Sequence, residues 1–529
     1  MYIKDNRGIT LPVVLLALML LIVFGITTLF MTSSQAKFNY RDDSSKKALE
    51  YAEAGYNDYL WHLNDDVNFY GTERHEKMMN VPIKYQEGYY MLDVTKPSDK
   101  DRFVTIKSTG WTDDNPDIKR TVAAKIRKKQ FVHHVYVSNS DGENIWWTTG
   151  DECHGPYHTN GDLYIQKHPI FYDTVSYSGK LKKGTEYNPD FKVKEPKQPE
   201  FLEGGLEFPK SNSRLKEWAE KDDMVFYGRT CIYLDGDKIK IRNGNAKLEE
   251  IETIPISNIK NKVIYVDNKE NWKDNKFDLD AGNIFISGKL KGKLTIASAN
   301  NIYITATDPT YWYDEEDKNH RNPPETYPKG SSKDGIPYGI TYSNTTFSPE
   351  NLSCWDENKG IWTRYAKGDD MLGLIAQNDI MILHYGWPRY MEGEEDYYNK
   401  PYWNYKWRKR ILGNWLKESF IYDVAPENMT IHASLFAVNG GFGYEAYDVP
   451  DEYNWWGPIY TKKGNITLWG NITQWERKAV GIINTSGYNK RYAHDPRMFY
   501  DYPPHILEPI NVGWEIHDWK EVDEHVKEK

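Results

Sequence analysis

The chain has little that would staple it or charge it with metal. Three cysteines occur in 529 residues, Cys153, Cys231 and Cys354, widely spaced and without a CxxC. That excludes a disulfide framework and the usual zinc signatures, although one pair could still form outside a cell. An excess of basic residues is also missing. A net charge of −10 and a pI near 5.8 argue against a body built to wrap nucleic acid. No GxSxG, HExxH or Walker stretch is found, so no familiar hydrolase, metalloprotease or nucleotide site is indicated. Long apolar runs are scarce, as a mean hydropathy of −0.75 requires, with one exception. "GITLPVVLLALMLLIVFGITTLFMTSSQA", Gly8 to Ala36, contains no charged residue. That is long enough for a helix to cross the roughly 30 Å hydrocarbon core of a bilayer. A secretory signal would have a shorter apolar core, about 7–15 residues, followed by a small-x-small cleavage site, and "MTSSQAKF" offers none.

Here the small residue, Gly8, precedes the apolar run. Met1–Gly8 is short and polar and carries Lys4 and Arg7, which favours a cytoplasmic position for this end. Gly8 followed by "ITLPVVLL" resembles the class III signal of type IV pilins and type II secretion pseudopilins. The resemblance implies a prepilin peptidase as partner, cleavage between Gly8 and Ile9, and N-methylation of Ile9. The apolar segment would stay on the mature protein, first as an inner-membrane anchor and then as packing against other pilin subunits. Two positions depart from the family pattern: Ile9 stands where Phe or Met is usual, and Val13 where Glu is usual. Further on, "SSKKALEYAEAGYNDYLWHL" places Ala48, Tyr51, Ala52, Gly55, Tyr56, Tyr59 and Leu63 at helical spacings of three and four. The anchor therefore continues into an amphipathic stem, with Glu53 on its solvated face. "ALEYAEAGYNDYLWHL" resembles the stem signature of PilX-like minor pilins.

Beyond the stem, "GYYMLDV", "RFVTIKSTGW" and "RTVAAKIRKK" alternate as three strands. A helix followed by a small antiparallel sheet is the plan of a pilin head, placed at 64–130. The basic group Lys125, Arg127, Lys128 and Lys129 closes it as a solvated strand end. From 131 onward "GNIFISG", "NNIYITA", "QNDIMIL", "ENMTIHA", "GNITLWG" and "GNITQWE" share one grammar, an Asn or Gly turn opening a short strand with alternate apolar residues. Ile284/Ile286, Leu294/Ile296 and Ile302/Ile304 read as the three sides of one turn of a parallel β-helix. Asn283, Asn301, Asn428 and Asn465 fall at its corners, where a positive φ is tolerated. "GPYHTNGDLYI", "GKLTIASANNIYITA", "LGLIAQNDIMIL", "IHASLFAVNGGFGYE" and "GYNKRYAHDPRMFYDYPP" resemble segments of large β-solenoid minor pilins. Asp495, Arg497, Pro503 and Pro504 in the last of these fit a cap on the solenoid end.

The expected fold is mainly β: a long N-terminal transmembrane helix, a small pilin-like head and a right-handed parallel β-helix body. Its divisions are leader 1–8, transmembrane and stem helix 9–63, head 64–130, body 131–510 and C-terminal tail 511–529. The implied role is a minor pilin or pseudopilin-like filament subunit acting in initiation or capping and in adhesion. Before assembly it would be a single-pass membrane protein, and afterwards it would lie on the cell surface. No catalytic residue, cofactor or metal is expected. "CHGPYHTNGD" gathers Cys153, His154, His158 and Asp162, but in no metal-site spacing, and "DPTYWYDEEDKNH" lacks the order of a calcium loop. The other reading is a membrane-anchored enzyme acting on polysaccharide with paired carboxylates in a β-helix groove. The candidate ligand-binding stretch is "PYWNYKWRKRILGNWLK", where Trp403, Tyr405, Trp407 and Trp415 interleave with Lys406, Arg408, Lys409, Arg410 and Lys417. Flat rings between cations suit DNA or an anionic glycan, and equally suit an inserted helix packed through its tryptophans.

Overall fold

A computed structural model describes residues 10–66, 69–97, 103–143, 145–193, 196–244, 246–311, 330–333, 335–348, 355–356, 361–362, 364–384, 423–448, 452–454, 457–482, 484–510 and 513–528. The protein is mainly β, with one long apolar helix near its N-terminus, and divides into two compact units. One is Met1–Lys129 together with Val512–Lys529, and the other is Gln130–Asn511.

In the first unit, helix α1 runs unbroken from Thr10 to Asp65. Its second half buries Ser44, Ala48, Tyr51, Ala52, Gly55, Tyr59 and Leu63, one stripe at the expected spacing. That stripe lies on an antiparallel sheet of β1 (Ile83–Tyr85), β2 (Gly88–Thr95), β3 (Val104–Thr112), β4 (Arg120–Lys128) and a fifth strand. Glycine makes the close approach possible. A Cβ on Gly110 of β3 would land on the backbone of Ala48 and Ala52, and one on Gly55 would strike the Tyr90 ring. Tyr59, Leu63, Leu92, Val104, Ile106 and Ile126 close the core.

The fifth strand is Trp514–Val522, within the stretch expected to be a tail. It pairs antiparallel with β4, and Trp514 enters the core. Its charge-rich sequence hid it. Its charges meet basic residues of β4: the register sets Lys125 opposite Asp518, and the Arg120 guanidinium donates to the Glu521 carboxylate.

The second unit holds a 23-stranded, predominantly parallel sheet. Its strands stack in ladders. One ladder runs Val225–Tyr227, Val263–Asp267, Lys293–Ser298, Met371–Ala376, Met429–Ala437, Lys462–Glu476, Tyr136–Ser140, Tyr157–Thr159, Val175–Tyr177 and Glu200–Phe201. A second carries Ile232, Ile286, Ile304 and Ile382 in line, all fully buried. Each such side chain contributes about 1.5–3 kcal/mol on leaving water.

The same pairing corrects the reading of one turn. Ile284 pairs directly with Ile302, so Ile302–Ile304 opens the next layer rather than completing the first. A third ladder starts at the end of strand Ile284–Leu290, where Gly288, Lys289 and Leu290 pair with Ile340, Thr341 and Tyr342. "SGKL" is too polar to announce itself as a core strand. The turn expected between "GNITLWG" and "GNITQWE" is also absent, since both lie in the single strand Lys462–Glu476.

Asn283, Asn301 and Asn428 sit between strands as expected, for a different reason, whereas Asn465 lies within the strand Lys462–Glu476. None of Asn283, Asn301, Asn428 and Asn465 has a positive φ. Instead Asn283 Oδ1 accepts the Asn301 N–H at 3.1 Å, Asn301 Oδ1 that of Asp379 at 3.0 Å, and Asn428 Oδ1 that of Asn465 at 2.9 Å. Each amide fastens one layer to the next.

Stacking order is not chain order. The chain enters in mid-stack at Tyr136, builds outward to Phe201, and resumes at Val225 at the opposite end. It then builds back until Ile472 pairs with Tyr136 and Tyr492 pairs with Cys153. The link between Phe201 and Val225 contains the helix Arg214–Glu220. Phe208, Leu215 and Ala219 of this link cluster with Val263, Tyr265, Ala297, Ile375 and Phe436 of the ladders. The Asn212 amide donates to Ser298 O at 2.7 Å. The segment expected as an end cap covers the same cluster instead, through Met498, Tyr502 and Ile506. Its Arg497 is tied to Asp495 at 2.6 Å and donates to Gly368 O at 2.9 Å, on the flank of the stack.

Candidate functional site

Two features stand out by their chemistry: a bare half-helix in the first unit and a charged interior in the second. In α1 every described side chain before Ser44 is exposed, including Leu15, Leu16, Leu20, Leu21, Phe24 and Phe30. Three of its threonine hydroxyls are satisfied within the helix. Thr27 donates to Val23 O at 2.7 Å, Thr28 to Phe24 O at 2.9 Å and Thr32 to Thr28 O at 2.8 Å. Charge returns as a collar, with Lys46 on Asp42 at 2.7 Å and Lys47 on Asp43 at 3.4 Å. From Thr10 to Ala36 the uncharged helix is about 40 Å long at 1.5 Å per residue, more than a bilayer core needs. By length and composition it can cross a membrane.

The processing pair Gly8 and Ile9, Cys354, and the stretch carrying Trp403, Tyr405, Lys406, Trp407, Arg408, Lys409 and Arg410 lie outside the described residues. "CHGPYHTNGD" is described, and its side chains diverge. Cys153 enters the hydrophobic core, where burial pushes its thiol well up. His154 stacks on Tyr172 at 4.1 Å and meets Glu152 at 2.9 Å. His158 bonds Ser176 and Asn160 at 2.9 and 3.0 Å, and Asp162 accepts the Lys180 N–H at 2.8 Å.

The charged interior drew no attention in the sequence. Arg477 Nη1 lies 3.2 Å from Asp141 Oδ2, with both side chains almost fully buried. Tyr157 and Ser138 donate to the same carboxylate. The Arg477 guanidinium stands 4.6 Å from the centre of the Trp147 ring, and Lys490 Nζ stands 5.1 Å from it. Lys490 also meets Asp151 Oδ2 at 2.8 Å. Burial raises the Tyr157 hydroxyl's pKa far above its ordinary value, with Asp141 adding to it. Burial works against the charge on Arg477, but Tyr136, Asp141, Tyr157 and Asp151 outweigh it and hold its proton more firmly. For Lys490 burial wins, and its pKa falls. Arg477 Nη2 has no hydrogen-bond partner among the described residues. By type these residues read as surface; only pairing with chain over three hundred positions away turns them inward.

No protein-family model matches the chain, and no curated protein does. Among solved structures the chain is similar to the competence-associated pilin ComZ from Thermus thermophilus, over 91% of this chain and 98% of that one. The sequence identity is 10% and the TM-score 0.24, values at which the likeness establishes neither fold nor function.

Proposed function

We propose that this chain is a pilin-like subunit of a type IV pilus-like filament. Its apolar half-helix anchors it in the inner membrane and later packs among other subunits, while its β body is displayed at the surface. The observation that carries this is the change in α1 at Ser44, from a wholly bare apolar helix to one packed along a single stripe. A buried hairpin helix would show no such change, and a cleaved signal would have no stem. In this reading the body is a right-handed parallel β-helix whose ladders are its faces, and its role is structural and adhesive rather than enzymatic. Val13 in place of the usual Glu leaves no carboxylate to strand in the apolar core, which suits a subunit at the filament tip. The stretch 401–417 is its candidate polyanion contact. Binding there falls steeply with salt if phosphates are neutralised, and persists in salt, dependent on Trp403 and Trp407, if a sugar face is stacked.

N-terminal mass analysis of protein from sheared filaments tests the reading. It expects a mature chain starting at methylated Ile9, and blocked processing in Gly8→Leu. A mature chain that keeps Met1, or that starts near Ser34, overturns it.

A further inference from the structure

The interior of the body is aliphatic along much of its length and becomes charged at the seam where its two stretches of chain meet. Lys490 there occupies the position in register with the core residue Ile466, so it points inward. Its neighbour Arg491 pairs with Glu152, which brings Asp151 up to Lys490 from the other side of the seam. Nζ and Oδ2 are 2.8 Å apart, with the side chains 12% and 10% exposed. The carboxylate is held by the Thr148 N–H at 3.2 Å, and the amine by the Trp147 ring. Asp151 lies within electrostatic reach of Arg477, whose second terminal nitrogen has hydrogens to spare.

We propose that Lys490 and Asp151 become joined by an intramolecular isopeptide bond that seals the seam. The reaction needs one proton to pass from the ammonium to the carboxylate, and burial, which lowers the Lys490 pKa, makes that proton easier to give up. The Nζ lone pair then attacks Cγ, and the C=O π electrons move onto oxygen, where the spare Arg477 N–H groups can stabilise the charge. An amine proton passes to the hydroxyl, the C–O bond breaks, and water leaves. One ammonium and one carboxylate give one amide and one water, with no oxidant or cofactor. The product removes two charges from the interior.

Peptide mapping of the purified, denatured full-length chain tests this. The expected result is a branched peptide joining the segments around residues 151 and 490, lighter than their sum by one water. Lys490→Arg keeps the cation but supplies no amine nucleophile, and should yield no branched peptide. Asp151→Asn should re-form the same bond, losing ammonia instead of water. On a reducing denaturing gel the wild type should run ahead of Lys490→Arg, because the bond closes a loop across 339 positions. Recovery of Asp151 and Lys490 from the wild type in separate, unmodified peptides overturns the proposal, whatever the variants do. A branched peptide persisting in Lys490→Arg overturns it equally.

Discussion

The two sheets use the same alternation of apolar residues to opposite ends. In the five-stranded sheet, β1 to β4 pair with their chain neighbours, one face takes the stem helix, and only the last strand comes from far away. In the body, paired strands are consecutive in space but commonly a whole layer apart in sequence. Its interior changes from Ile and Leu to Tyr, Trp and paired charges at the point where the chain closes on itself. Local pairing leaves the core to apolar residues and to glycines that admit the helix. Long-range closure adds buried ion pairs, whose cost is repaid only in one register. The first sheet should therefore fail by steric insult and the second by an orphaned charge.

The largest effect is expected at that seam. Asp141→Ala leaves Arg477 buried without its carboxylate and should lower the body's stability by about 3–5 kcal/mol. Calorimetry should show the body's transition shifted and the helix-bearing unit's unchanged. Next comes Gly110→Val, whose side chain meets the α1 backbone; it should cost about 3 kcal/mol, confined to the other transition. Either variant moving both transitions alike would erase the contrast.

A smaller effect is graded by pH. Burial, helped by Arg497, lowers the pKa of His432 to about 3, while the unfolded value is 6.5. The folded ring stays neutral where the unfolded chain binds a proton, so its contribution is complete above pH 6.5 and lost as pH falls toward 3. The loss approaches about 1.4 kcal/mol for each pH unit within that window. His432→Gln should flatten the body's denaturation midpoint against pH over the same window, and an unchanged slope would contradict the assignment. The smallest effect is expected from Trp519→Ala on the outer strand, where the ring is 40% exposed. Urea melts should show a change within about 0.5 kcal/mol.

Much of this was legible in the sequence. The stem stripe from Ala48 to Leu63 and strands β2 to β4 follow from periodicity, because half-buried elements must alternate. Strand Trp514–Val522 did not, since its cross-strand charges look the same as solvent-exposed ones. The pairing of Gly288–Leu290 with Ile340–Tyr342 escaped for want of apolar residues around Gly288. The seam escaped because no local pattern records that Lys490 will meet Asp151. Of the candidate site, the bare helix was legible from its lack of charge, and the charged interior was not legible at all.

The mid-stack entry also sets a timetable. Tyr136 and its partner Gln474 are 338 positions apart. At about 5–20 residues per second, the early strands wait roughly 15–70 s for the chain that covers them. Throughout that interval the growing protein carries an open strand edge ready to pair with any extended neighbour. The same delay applies to β4, whose Arg120 meets Glu521 only after 401 further positions. The body cannot finish before Ile472 is made, nor the first unit before Trp514–Val522, so a copy stalled or cut short of them is left with two unsatisfied edges and is a natural client for chaperones and proteases.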